Sequence, residues 1–264
     1  MFRIKKSALI GASILIFAAG FSLFLRAIYF VPILMYHSVN PPASSNMPML
    51  TVSPQVFEKQ MRFLRSHKYN VITLEALARL IKEKKRIPSK TLTITLDDGY
   101  RNNYTYAFPI LKKYNLPATI FVIINEVGRP QGDRLNWDEI KEMQASGLIT
   151  FGSQTLSPEP LIKIKPEAGV KSQIFDSKSI LEAKLNRPVN CFSYPEGLLN
   201  ARIRELVREA GYQVAVSTKP GEEYPDNDIF VLRRLRISKK AGNLFIFWFE
   251  TSGYYTFFKQ RKHR

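Results

Sequence analysis

Short apolar runs alternate with longer amphipathic stretches along most of this chain. The run at 118–124 is almost continuously apolar, which is typical of a strand covered on both faces, and the run at 92–96 is made of apolar and β-branched residues. After Ser53, a stretch that begins with Pro54 repeats apolar residues at helical spacing, so it predicts a helix with Ser53 as its N-cap. This alternation predicts a parallel sheet in an α/β domain. The other predicted strands are 32–36, 149–152, 189–193 and 213–217, and the other predicted helices are 74–84, 104–114 (kinked or restarted at Pro109), 137–145, 166–185 and 201–210.

The first residues of the chain are basic and then apolar. Lys5 and Lys6 precede an uncharged run at 7–25, which is long enough to span a hydrocarbon core. Basic residues before such a run place the N-terminus in the cytoplasm and the following chain outside it. Small residues at 18–20 leave a cleaved signal peptide as the alternative. Because the run stays apolar to its end, it favours one uncleaved transmembrane helix.

We therefore expect residues 1–29 to form a membrane anchor. Residues 30–264 would form one domain on the extracytoplasmic side of a bacterial-type cytoplasmic membrane. A hydrophobic share of 45% is enough for one sizeable core. The net charge of +17 favours anionic partners, and in this compartment these are lipid head groups and acidic envelope glycans rather than nucleic acid. The single cysteine, Cys191, cannot form an internal disulfide and is expected to be buried.

The C-terminal stretch is rich in aromatic residues. Residues 244–249 predict a last helix whose aromatic side chains pack inward, against the core. From Gly253 onward, aromatic residues stand beside lysines and arginines, and the chain ends in a basic tail at 259–264. Such a mixture predicts contact with the membrane interface.

Two adjacent carboxylates, Asp97 and Asp98, follow the apolar strand at 92–96 and precede a glycine. Burying two carboxylates side by side is costly unless they have partners or a function. One of them can bind a metal while the other takes a proton from water. An Asp-Gly turn without function is the alternative. A hard cation such as magnesium or calcium, held by oxygens of Asp97, Asp98 and Glu196, is a further possibility.

The sequence around these carboxylates resembles the polysaccharide deacetylases, the NodB-homology group of carbohydrate esterases. The order and spacing of six segments together carry the resemblance. It implies a distorted parallel (β/α) barrel with fewer than eight strands, with its chemistry at the carboxyl ends of the strands. It also implies hydrolysis of acetamido groups on an N-acetylated envelope polysaccharide. The six segments are Pro-Ile-Leu-Met-Tyr-His-Ser at 32–38, Leu-Asp-Asp-Gly-Tyr at 96–100, Pro-Ala-Thr-Ile-Phe-Val at 117–122, Asn-Trp-Asp-Glu-Ile-Lys-Glu-Met at 136–143, Phe-Gly-Ser-Gln-Thr-Leu-Ser-Pro at 151–158 and Phe-Ser-Tyr-Pro-Glu-Gly at 192–197.

By this resemblance, Asp97 matches the general base and Asp98 matches a ligand of the family's divalent, zinc-type metal. His37 ends a predicted barrel strand and is the candidate to supply a proton or a hydrogen bond. The residues expected to line the sugar groove are Tyr100, Gln154, Tyr194, Pro195 and Glu196.

The chain departs from the family where the metal should be bound. In the family, two histidines of a His-Thr-x-Ser-His segment complete the metal site, and here Gln154 and Pro158 stand in their places. An amide is a poor neutral ligand, and proline has no side-chain donor atom. The family's late Leu-x-His motif is also absent. Because Asp98 is the one family ligand left, a catalytically inactive glycan-binding or scaffold protein of an envelope polysaccharide system is the alternative function.

Overall fold

Parallel strands form the centre of the fold, and helices pack around them. The structure is a computed structural model, which describes residues 17, 20, 30–42, 49–218, 228–237 and 242–255. The strands are β1 (Ile33–Tyr36), β2 (Ser38–Val39), β3 (Thr51–Val52), β4 (Asn70–Val71), β5 (Thr91–Leu96), β6 (Ala118–Val122), β7 (Ile149–Ser153), β8 (Cys191–Ser193), β9 (Val214–Ser217), β10 (Leu232–Arg233) and β11 (Leu235–Arg236). The helices are α1 (Pro54–Ser66), α2 (Leu74–Lys82), α3 (Phe108–Tyr114), α4 (Trp137–Ala145), α5 (Glu167–Leu185), α6 (Ala201–Glu209) and α7 (Leu244–Thr251).

The main sheet runs in the order β10-β9-β8-β7-β6-β5-β1-β11, with β4 paired to the start of β5 and β2-β3 as a separate pair. All of these pairs are parallel. β10 and β11 lie at opposite ends of this order, yet only Arg234 separates them in the chain. The segment 232–236 therefore joins both edges and nearly closes the sheet into a barrel. This confirms the predicted distorted parallel barrel with fewer than eight strands, since β10 and β11 act as one split strand and β4, which pairs only with the start of β5, lies off the main order.

The alternation of side chains between the two faces of β5 decides where Asp97 points. Leu92, Ile94 and Leu96 belong to the large core cluster that includes the helices α1, α3 and α4. The threonines between them are also buried, but they face the other side of the sheet. Asp97 continues the threonine series and so points to the inside of the barrel, at the carboxyl end of β5. The sequence Thr-Leu-Thr-Ile-Thr-Leu-Asp thus gives the barrel a polar interior at this end.

The structure confirms the positions of most predicted elements and shifts several of their ends. Ser53 caps α1 by accepting a hydrogen bond from the backbone N–H of Val56 at 3.2 Å. The predicted helix at 104–114 is divided into a π-helical turn, Asn103–Ala107, and α3, with Pro109 in the first turn of α3. The strand predicted at 118–124 ends at Val122, because a 3-10 turn, Ile124–Glu126, follows it.

The prediction that the aromatic residues at 244–249 pack inward is confirmed only in part. Phe247 is fully buried against α1, with its ring centroid 5.9 Å from that of Phe63. Phe245 and Trp248 are exposed on the same helix. The helix is apolar on nearly all sides, so hydrophobicity alone could not tell which narrow side contacts the core.

The predicted anchor at 7–25 and the basic tail at 259–264 lie outside the described residues, apart from residues 17 and 20. No helix within the described part of the chain is both long and apolar enough to cross a membrane.

Candidate active site

Asp97 is held by a buried arginine that joins the two edges of the barrel. The two guanidinium nitrogens of Arg234 donate to the two carboxylate oxygens of Asp97 at 2.6 and 2.7 Å. The same side chain donates to Thr95 Oγ1 at 3.2 Å and to Ser193 Oγ at 3.0 Å. The Arg234 side chain is 1% exposed and that of Asp97 is 5% exposed. This planar, bidentate pair fixes the carboxylate in place and balances its charge.

His37 lies beside this carboxylate at the end of β1. Its Nε2 is 4.0 Å from Asp97 Oδ2, which is too long for a direct hydrogen bond and suits a bridging atom between them. The imidazole is 16% exposed, so it connects the buried pair to the surface. β1 and β5 are adjacent and parallel, with Tyr36 opposite Leu96, and this register brings the next residues, His37 and Asp97, together.

Asp98 is bound by the amide of Gln154. The backbone N–H of Asp98 donates to Gln154 Oε1 at 3.1 Å, and Gln154 Nε2 donates to Asp98 Oδ1 at 2.8 Å. These two bonds also fix the orientation of the amide, because the carboxylate needs a donor and the backbone N–H needs an acceptor. Asp98 adopts a left-handed backbone with φ of 65°. Burial raises the pKa of Asp98, and the negative charge of Asp97 raises it further.

The residues at this position do not fit the family's metal. Gln154 Nε2 directs a donor at the carboxylate oxygen that a cation would need, and Pro158 has no ligand atom. Within the residues that the structure describes, no group of three or more His, Cys, Asp or Glu side chains could hold a metal ion. Asp97, Asp98 and Glu196, all of which are described, form no such group either, so the geometry does not support a hard cation held by these three side chains.

Tyr100 packs under an arginine at the edge of this cluster. The guanidinium carbon of Arg134 lies 3.9 Å from the centre of the Tyr100 ring, and the two backbones form an antiparallel bridge. Burial raises the pKa of Tyr100 to about 12, with a further contribution from the charge of Asp98. The ring face is thus already occupied, so stacking of Tyr100 on a sugar requires that Arg134 move. Its predicted role in substrate binding stays a prediction.

The loop after β8 carries three residues that were predicted to line the sugar groove, and they differ in exposure. Tyr194 is fully buried, and its hydroxyl donates to the carbonyl of Phe230 at 3.0 Å. Pro195 is buried too, whereas Glu196 is exposed with φ of 55°. The burial of Tyr194 and Pro195 argues against direct contact with a sugar in this conformation. Of the three, Glu196 is the residue that a substrate can reach.

A sequence profile described as polysaccharide deacetylase matches residues 84–215. The poly-beta-1,6-N-acetyl-D-glucosamine N-deacetylase of Staphylococcus epidermidis is 30% identical over 75% of this chain and 72% of its own length. The chain belongs to the polysaccharide deacetylase family. Among solved structures, the Streptococcus pyogenes deacetylase PplD matches with a TM-score of 0.71 and 28% identity, over 79% of this chain and 92% of that chain. IcaB from Ammonifex degensii matches with a TM-score of 0.73 and 25% identity, over 84% and 97% of the two chains.

Arg234 is the main site residue that the sequence did not reveal. Basic and apolar residues alternate around it as in an amphipathic strand, and this pattern does not tell which arginine is buried. One signal was present, because the doublet Arg233-Arg234 breaks the alternation of apolar and basic residues. That break is the point at which the strand divides into β10 and β11 and turns Arg234 into the barrel.

Proposed function

We propose that this protein is a cell-envelope polysaccharide deacetylase that acts on an N-acetylated polysaccharide. The observation that carries the proposal is the pair of Asp97 and His37 at the carboxyl ends of adjacent parallel strands, in a chain of the deacetylase family. The relative in Staphylococcus epidermidis is named for poly-beta-1,6-N-acetyl-D-glucosamine, which makes an N-acetylglucosamine polymer the substrate to try first.

The reaction follows from the two side chains. Asp97 accepts a proton from a water molecule as its oxygen attacks the acetyl carbonyl, and the C–N bond then breaks. His37 gives a proton to the leaving nitrogen, so that the sugar carries a free amine and acetate is released. Arg234 keeps Asp97 oriented throughout, since it bonds both carboxylate oxygens. In the family, the metal polarises the acetyl carbonyl and stabilises the transition state by several kcal/mol. Because this chain lacks the residues that hold the metal, we expect slow turnover.

A second function, binding of the glycan without hydrolysis, is favoured by the Gln154–Asp98 pair. The amide occupies the carboxylate that the family uses for its metal. A protein with this arrangement keeps the barrel and loses the strongest electrophile of the mechanism. The two residues that differ from the family's metal ligands, Gln154 and Pro158, fit this function without further assumptions.

For the location, we propose that residues 7–25 anchor the chain in the cytoplasmic membrane with residues 30–264 on its extracytoplasmic side. The support is the apolar run and the basic residues that precede it. Flotation of the full chain with membranes after a carbonate wash tests this. Recovery of the protein in the soluble fraction would contradict it.

The test of the reaction measures two quantities on the same samples: free amines released from β-1,6-linked N-acetylglucosamine oligomers, and binding of those oligomers. The variants are Asp97→Asn and, as a matched control, Asp138→Asn, which changes an exposed carboxylate on α4. Amine release by the wild type and by the control, but not by Asp97→Asn, supports the deacetylase. Binding without release by all three proteins supports the second function. Absence of both would overturn both proposals.

A further inference from the structure

Helix α7 exposes an apolar surface that no described residue covers. Phe245 is 71% exposed and Trp248 is 46% exposed, while Leu244 and Ile246 are 38% and 37% exposed. Phe245 and Trp248 contact each other, with ring centroids 5.6 Å apart. Large apolar side chains grouped in this way on a surface mark an interaction site. We call these four residues, Leu244, Phe245, Ile246 and Trp248, the α7 face.

The helix that carries this face is held firmly against the domain. Thr251, one turn from Phe247, is buried and its hydroxyl contacts that of Tyr69 at 3.2 Å. Phe63 of α1 packs edge-on against Phe247. The α7 face is therefore the outer side of an anchored helix.

The α7 face lies next to the point where the N-terminal chain enters the domain. The backbone N–H of Phe30 donates to the carbonyl of Gly253, just after α7, at 2.8 Å. The apolar run ends at Leu25, and five extended residues reach at most about 18 Å. A bilayer that holds the run therefore begins close to α7, which is itself only about 12 Å long.

The residues that flank α7 in the sequence are basic. Lys239 and Lys240 precede the helix, and the tail at 259–264 carries four lysines and arginines. Tryptophan and phenylalanine between basic residues are typical of segments that lie at the boundary between lipid head groups and acyl chains. The basic residues favour anionic head groups.

We propose that the α7 face lies in the interface of the lipid bilayer, on anionic phospholipid, and holds the barrel against the membrane surface. The proposal rests on the anchored location proposed above and adds a second contact to it. The anchor alone would leave the domain free to rotate on its linker. With the α7 face in the interface, the domain has one orientation relative to the lipid surface.

The chain has two tryptophans, Trp137 and Trp248, which makes a single-reporter experiment possible. In the full chain, Trp137→Phe leaves Trp248 as the one tryptophan, and Trp248→Phe leaves Trp137 as a matched control. Trp137 lies on α4, with the Lys184 ammonium 5.6 Å from its ring centre. Each variant is reconstituted in phosphatidylglycerol-containing vesicles whose acyl chains carry bromine, and separately exposed to iodide in the water. Flotation records whether the chain stays with the vesicles.

We expect bromolipid to quench Trp248 and to leave Trp137 unaffected, and iodide to quench Trp248 much less in vesicles than in detergent. Serine at both Phe245 and Ile246 should reduce the bromolipid quenching and shift the Trp248 emission to longer wavelength. Since both side chains are exposed, this change should leave the thermal midpoint unaffected.

Quenching of Trp248 by iodide and not by bromolipid, in a chain that floats with the vesicles, would overturn the proposal and leave the anchor intact. If neither iodide nor bromolipid quenched Trp248, the proposal would be overturned, because another segment or a second copy of the chain would then cover the α7 face. Equal bromolipid quenching of both tryptophans would also overturn it, because the contact would not be specific to α7. A chain that does not float would contradict the anchor itself.

Discussion

Replacing Arg234 by methionine should destabilise the protein by about 3–5 kcal/mol, because it leaves a buried carboxylate without its partner. The Asp97 side chain is 5% exposed, so water cannot solvate the charge that remains. Methionine fills much of the volume of the arginine stem but donates no hydrogen bond. The variant therefore removes all four bonds that Arg234 makes to Asp97, Thr95 and Ser193.

The assay is chemical and thermal unfolding of the full chain in detergent. At about 2–4 °C per kcal/mol for chains of similar size, the expected loss in Tm is roughly 6–20 °C. Arg236→Met is the matched control, since Arg236 lies on β11 and is exposed. It should cost less than about 1 kcal/mol.

A double variant separates loss of the charge partner from loss of packing. Asp97→Asn combined with Arg234→Met removes both charges, and it should be more stable than Arg234→Met alone. The reasoning would be refuted if Arg234→Met cost less than about 1 kcal/mol, as a surface substitution does. It would also be refuted if the double variant were no more stable than the single one.

Three further changes test the site and the core. The pKa of Asp98 is raised in the folded state, so the protonated carboxyl stabilises the fold at low pH. This stabilisation is lost as the pH rises through the pKa of the folded state. Asp98→Asn should remove that pH-dependent loss and be at least as stable as the wild type at neutral pH. Gly152→Ala should cost about 1–3 kcal/mol, because the new Cβ would lie 2.6 Å from the Phe121 ring. The double variant Gln154→His, Pro158→His restores the family's ligand types and should retain zinc after desalting.

Each of these changes has a control or a contradicting result. A pH profile of unfolding that is the same for Asp98→Asn and the wild type would contradict the raised pKa. Gly242→Ala is the control for Gly152→Ala, since its Cβ would come no closer than 3.6 Å to Val56. If the double histidine variant retained no more zinc than the wild type, the backbone at Gln154 would not present ligands as the family's does.

Local chemistry in the sequence was sufficient to predict the elements that position the site. The N-cap at Ser53 and the alternation along β5 each act within a few residues. The loss of the two metal-binding histidines could likewise be recognised from Gln154 and Pro158, because the family motif is contiguous. These features depend on neighbours in the chain and not on the closed barrel.

The rest depends on contacts between distant parts of the chain. Arg234 and Asp97 are 137 residues apart, and they meet only because one strand joins both edges of the sheet. The hydrogen bonds between the Gln154 amide and Asp98 depend on the pairing registers of β5 with β6 and of β6 with β7. The burial of Phe247 and the exposure of Trp248 depend on which side of α7 contacts α1. The doublet Arg233-Arg234 marks the break in its strand, but the local sequence does not identify the partner in any of these pairings.

The hydrogen-bonded Gln154–Asp98 pair occupies the position of the family's metal in this chain. The most direct test is the metal content of the full chain after incubation with zinc, cobalt, nickel and magnesium and then desalting, for the wild type and for Asp98→Asn. We expect far less than one metal ion per chain, and the same amount in both proteins. One metal ion per chain in the wild type, lost in Asp98→Asn, would contradict the account and show that this chain has rebuilt the metal site.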